Sequence, residues 1–233
     1  MRHRSTLRFI LEALEGIAVS AVTLLTWPVT KRWLRNWGSL PEERGRNWPG
    51  DALVSPDHAT YTRAIGIEVP PERVWPWLVQ FGLGRAGFYS YEMLERVLGI
   101  PVRNVESIVP ELQSLSVGEE ILLHPKAPGI PVADLDEGRH ICFGGKVEEA
   151  AGSESGNPGR SWSMYLEPRA EDQTRLILRG CVEPPVEPTL GKRLEGVLEE
   201  PVDFIMEQRM LRTVKRLAES RDGDDGGSFA AAS

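Results

Sequence analysis

The stretch Pro70–Gly99, PPERVWPWLVQFGLGRAGFYSYEMLERVLG, decides how the chain is read. Two prolines and an acid open a helix, because proline is tolerated in the first turn and negative charge is favoured there. Val74, Trp75, Leu78 and Val79 share one face of that helix. Gly82–Gly87 then breaks the chain, and Tyr89–Leu98 reads as a second short helix with Ser90 as its N-cap. Before this stretch, Tyr61–Val69 alternates with Tyr61, Arg63, Ile65, Ile67 and Val69 on one face, as in a half-buried strand. After it, Val105–Leu115 has room for one more turn. Strands are then predicted at Glu120–Leu123, Val132–Leu135, Ile141–Val147, Ser161–Glu167 and Arg175–Val182. Asp136-Glu137-Gly138 and Ser153–Gly159 supply turns between them. Val202–Ala218 closes the domain as a long helix. A meandering sheet cannot bury its inner face alone, so that helix is the natural cover.

At 233 residues the chain fits one sizeable domain with appendages, large enough to bury a core without metal or disulfide staples. Charge is uneven. Residues 1–46 hold eight Lys/Arg against four Asp/Glu, and the rest hold 19 against 30. A basic leader on an acidic body argues against nucleic acid as a partner, which needs a basic face on the folded domain. It suits an anionic membrane surface. Leu7–Val29 is largely apolar, but its uncharged part, Gly16–Val29, is 14 residues long, short of the roughly 20 that span a bilayer. Trp27, Trp33 and Trp37 stand beside Lys31, Arg32 and Arg35, as in an interfacial belt. A membrane-associating helix, a soluble helix packed on the domain and a cleaved signal are all open. The first is preferred, with the domain on the cytoplasmic side; a cytoplasmic soluble protein is the alternative. The expected divisions are 1–37, an N-terminal apolar helix; 38–57, a linker rich in Pro, Gly and charge; 58–220, the domain; and 221–233, a disordered tail. Cys142 and Cys181 give no disulfide framework: strands separated by a third would hold them about 9–10 Å apart.

From Tyr61 to Glu219 the element order and several phrases resemble the polyketide cyclase/dehydrase and lipid-transport superfamily, the START-like helix-grip proteins (SRPBCC). The phrases are ATYTRAIGIEVPPERVWPWLVQFG, GFYSYEMLERVLG, PELQSLSVGEEI, SWSMYLEP and EPVDFIMEQRML. The look is nearest to bacterial members in which an apolar helix precedes a join like Trp33–Gly38. The resemblance implies an α+β fold, a seven-stranded curved antiparallel sheet gripping a long C-terminal helix around an apolar cavity; six strands are read here. It also implies ligands such as lipids, sterols or polyketides, with only some members acting as enzymes.

Gly82-Leu83-Gly84-Arg85-Ala86-Gly87 matches GxGxxG. A dinucleotide site also needs a strand before it and a helix N-terminus after it, so an inter-helix bend is the reading and no cofactor is expected. His3, His58, His124 and His140 are scattered, with no paired spacing to Cys, so no metal is expected. The cavity candidates are Trp75, Phe88, Tyr89, Tyr91, Trp162, Met164, Leu178, Met206 and Met210. Arg179 is expected on the outer sheet face, because an inward charge would need a partner. Phe204 and Leu211 lie opposite the methionine stripe, and are expected to meet the N-terminal helix, a membrane or a second subunit. The leading function is non-catalytic binding or transfer of an apolar small molecule. A cyclase- or dehydratase-type enzyme, with His124, Glu92 or Arg63 inward, and an interaction or stress-response module with a collapsed cavity are the alternatives. Oligomeric state is not set by the sequence.

Overall fold

In the computed structural model, residues 6–145, 159–170, 172–184 and 190–220 are described. The tail expected at 221–233 and most of the Ser153–Gly159 turn lie outside them. The elements are α1 (Thr6–Arg35), α2 (Pro41–Gly45), a 3-10 turn at Pro49–Leu53, β1 (Ala59–Ile67), α3 (Pro71–Val79), α4 (Glu92–Val97), a second 3-10 turn at Pro110–Leu112, β2 (Glu120–Ile121), β3 (Ile130–Asp136), β4 (His140–Gly145), β5 (Arg160–Ala170), β6 (Gln173–Val182) and α5 (Leu190–Glu219).

Six strands form one antiparallel sheet in the order β1-β6-β5-β4-β3-β2. The first strand therefore pairs with the last, and the sheet curls with bulges between Val132 and Asp134 and between Pro168 and Ala170. Its inner face presents Ile67, Met164, Leu166, Leu176 and Leu178 to Met210, Leu211, Val214 and Leu217 of α5. This is a helix-grip α+β fold. Pro201 lies inside α5, which begins earlier than the predicted Val202.

The outer face is covered too, and here the linker reading is corrected. Gly38–Asp57 contains α2 and the first 3-10 turn, and it packs Trp48 and Leu53 on Ala64, Cys142, Tyr165 and Ile177. Glu43, 2% exposed, accepts from Arg175 and Arg169. Asp51 takes both arms of Arg179 at 2.6 and 3.0 Å. Arg179 is thus on the outer face, as expected, but buried beneath this cover. Those guanidinium contacts hold the Glu43 and Asp51 carboxyls below the usual carboxylate range, outweighing the burial that would raise them.

α1 lies across α4 and α5. Arg209 reaches Glu12 at 3.0 Å, and Arg35 and Lys31 pair with Glu200. Trp27, Leu34, Tyr91, Phe204 and Ile205 form a second core between them. Phe204 therefore meets α1, packing on Trp33 and Trp37, while Leu211 joins the main core. The arms Leu11–Trp27 and Val29–Arg35 bend by 118°. No single helix among the described residues is long and apolar enough to cross a membrane.

Candidate ligand cavity

Gly82–Gly87 is a tight loop closed by Gly82 and Gly87 pairing across it, with φ of 132°, 78° and 90° at Gly82, Gly84 and Gly87. Only glycine adopts such angles without strain. A Cβ on Gly87 would also meet Asn104 Oδ1 at 2.6 Å. The loop is followed by Tyr89, itself at φ 56°. Asn104 fixes that left-handed residue: its Oδ1 accepts from the backbone N–H of Phe88 (3.0 Å) and Tyr89 (2.6 Å), and its Nδ2 donates to the Ser90 carbonyl. Glu92 in turn accepts from the Asn104 N–H. The outcome is that Phe88 points into a cavity and Tyr89 away from it.

That cavity has a volume of about 300 Å³. The helical side is Val202, Asp203, Met206, Glu207 and Met210 of α5. The sheet side is Tyr61 of β1, Arg160, Ser161 and Trp162 of β5, and Cys181 and Val182 of β6. Phe81, Phe88, Ser90, Leu98, Ile100, Leu123 and Ile130 complete it. Gly180 creates part of the floor. It stands between Tyr61 and Trp162 in the register, and a Cβ there would come within 2.2 Å of the Tyr61 ring.

One polar cluster ties the walls together. Glu207 Oε1 accepts from Tyr61 Oη at 2.7 Å and Trp162 Nε1 at 2.9 Å, and Oε2 accepts from Arg63. Arg63 has no solvent exposure, lies over the Tyr61 and Phe204 rings, and donates from Nε to the Leu34 carbonyl. Burial, and then the Glu207 charge, push the Tyr61 phenol well above its ordinary value. Burial likewise raises the Cys181 thiol to about 12. Both groups are protonated at neutral pH.

Of the expected cavity residues, Phe88, Trp162, Met206 and Met210 line the space. The others do not. Tyr89 is 1% exposed, hydrogen-bonded to Gln80 and packed edge-on against Trp77. Tyr91 lies beneath α1, its hydroxyl on Glu15, because the N-terminal helix occupies that side. Met164 and Leu178 sit deeper, in the fully packed core. Trp75 packs half-buried at the core's edge, since Trp77 takes the inward position. Ser90 does not cap α4, which starts at Glu92; its hydroxyl meets Met206 Sδ at 3.0 Å. Glu207 was not among the sequence candidates. Its signal was Arg63, a cation on an otherwise apolar strand face that requires a buried acid.

Neither a family model nor a curated protein matches the sequence. Solved structures resemble it at low identity. An aromatase/cyclase from a Streptomyces species is 15% identical at a TM-score of 0.39, covering 73% of this chain and 99% of that one. A polyketide-cyclase-like protein from Corynebacterium glutamicum is 13% identical at 0.37, covering 71% and 92%. A protein from Arthrobacter aurescens is 13% identical at 0.37, covering 80% and 97%. The helix-grip assignment stands on the strand order and on α5 across the inner face.

Proposed function

We propose that the protein binds or transfers an apolar small molecule in this cavity, of lipid, sterol-like or polyketide-like character, without chemical conversion, and that it works at a membrane surface. The observation that carries the first part is the cavity itself. At about 300 Å³ it falls at the lower end of ligand pockets, and its walls are mostly aromatic and aliphatic. Affinity would come from apolar area removed from water, at roughly 25 cal/mol per Å². The Glu207 carboxylate is committed to Tyr61, Trp162 and Arg63, and the Tyr61 phenol at the wall stays neutral, which favours holding over reacting. An open space of this size weighs against a collapsed-cavity interaction module.

The membrane part rests on α1, whose apolar residues face both ways. Trp27 and Leu34 pack inward, whereas Val29 is 88% exposed, Leu25 81%, and Leu11, Leu14, Ile17 and Val22 all more than half exposed. Large apolar side chains facing outward, with Lys31 and Arg32 nearby, fit a helix lying in a lipid interface.

Native mass spectrometry on the full chain purified from its host, followed by solvent extraction, tests the cavity. A stoichiometric apolar adduct, lost in Met206→Trp with Met210→Trp, is expected. A clean apo mass together with failure to bind a lipid panel and a hydrophobic dye would overturn the reading, and a chemically altered ligand would move it to the cyclase or dehydratase class. For α1, flotation with anionic vesicles should fall sharply in Ile17→Glu with Leu25→Glu; unchanged flotation would refute the membrane part alone.

A further inference from the structure

We propose that Asp134, His140 and Cys142 form a binding site for a divalent cation of the zinc class on the outer sheet face, separate from the cavity. The β3–β4 hairpin brings them together. Asp134 stands opposite Cys142 in the register, and His140 lies two residues before Cys142 and so on the same face. Oδ, Nε2 and Sγ all fall within 4.8 Å of one another, with His140 Nε2 2.9 Å from Asp134 Oδ2. A tetrahedral zinc bound to oxygen, nitrogen and sulfur at about 2.0–2.3 Å sets its ligands roughly 3.3–3.7 Å apart. The donors are therefore close to their working separations, and the part-exposed Asp134 and His140 side chains can close the remainder.

The donor set of thiolate, imidazole and carboxylate suits a borderline-soft ion rather than magnesium or calcium. Two further groups surround the thiol. Tyr165 Oη is 3.5 Å from Sγ and already accepts from the Gly50 N–H at 2.9 Å, so water would complete the coordination. Ser163 is directly cross-strand from Cys142 and 1% exposed, which places its buried hydroxyl beside the thiol. Binding replaces the S–H bond by an S–metal bond and releases that proton to solvent. A second grouping, Asp51, His58 and Cys181, has similar spacing. Asp51 there is already held by both arms of Arg179, whose charge opposes a cation, so this grouping serves as an internal control.

Titration of the full chain with Co²⁺ tests the site through the thiolate-to-cobalt absorption band. One equivalent should give the band, and Zn²⁺ should displace it. Cys142→Ser should abolish it, His140→Gln should weaken binding at least tenfold, and Cys181→Ser should leave it intact. His140→Gln alters a partly exposed residue, so it remains informative if Cys142→Ser fails to fold. Absence of a band from the wild-type chain, a band surviving in folded Cys142→Ser, or unchanged affinity in His140→Gln would overturn the proposal.

Discussion

Replacing Glu95 by glutamine should change how stability depends on pH. The Glu95 side chain is wholly buried in α4. Burial first, and the neighbouring Glu92 charge second, raise its pKa to about 8 from 4.5. Below about pH 4.5 the group is protonated in both folded and unfolded chains and costs nothing. From there to about 8 the unfolded chain ionises while the native state keeps its proton, so native stability falls as pH rises, and it levels off above 8. Each pH unit in that window withdraws up to about 1.4 kcal/mol, a ceiling on the order of 4–5 kcal/mol. Local relaxation around a charged carboxylate lowers this, and about 2 kcal/mol is expected. Glutamine matches the shape and never ionises. Urea unfolding of both chains at about pH 5 and about pH 8.5 should therefore show near-equal stability at the lower pH and the variant ahead by about 2 kcal/mol at the higher. A difference that is the same at both values would refute the reasoning, because a packing effect carries no pH dependence.

Other outcomes follow from the cavity's frame. Asn104→Ala leaves the Phe88 and Tyr89 amides without their acceptor and should cost about 2–4 kcal/mol in denaturant unfolding, with loss of dye binding as Phe88 leaves the wall. Glu207→Ala strands Arg63 as a buried charge and should cost about 3–5 kcal/mol by the same measure, whereas Trp162→Phe, removing one of three donors, should cost about 1. Gly180→Ala drives a methyl into the Tyr61 ring; a loss of about 1–3 kcal/mol and weaker ligand retention by native mass spectrometry are expected.

The strands were legible because period-two alternation survives in any half-buried sheet, and β1, β5 and β6 followed it. The pairing of β1 with β6 was not, since no local signal joins segments more than a hundred residues apart. The segment at 38–57 misled because proline, glycine and charge mark a connector and a turn-rich cover equally; only Trp48 and the arginines of β6 hinted at docking. Tyr89 and Tyr91 were misplaced for a backbone reason. The sequence pattern reads as helical from Tyr89, but that residue takes positive φ and α4 begins at Glu92, which turns both rings out of the cavity. Glu207 was hidden because an acid beside Met206 reads as the wet edge of a helix, and its partners come from three other elements. The Asp134, His140 and Cys142 grouping lies within nine residues, yet it becomes a cluster only once the hairpin register is known.

The cover on the outer face also fixes where the smallest folding unit begins. A truncated chain starting at His58, the boundary composition suggests, would keep every strand and the whole cavity wall. It would also bare Tyr165, Ile177 and Cys142 to water and remove the acids that neutralise Arg175 and Arg179. Such a fragment would fail through aggregation at a face remote from the ligand, and its silence in a binding assay would say nothing about the cavity. Deletions meant to isolate the domain from α1 belong before Gly38.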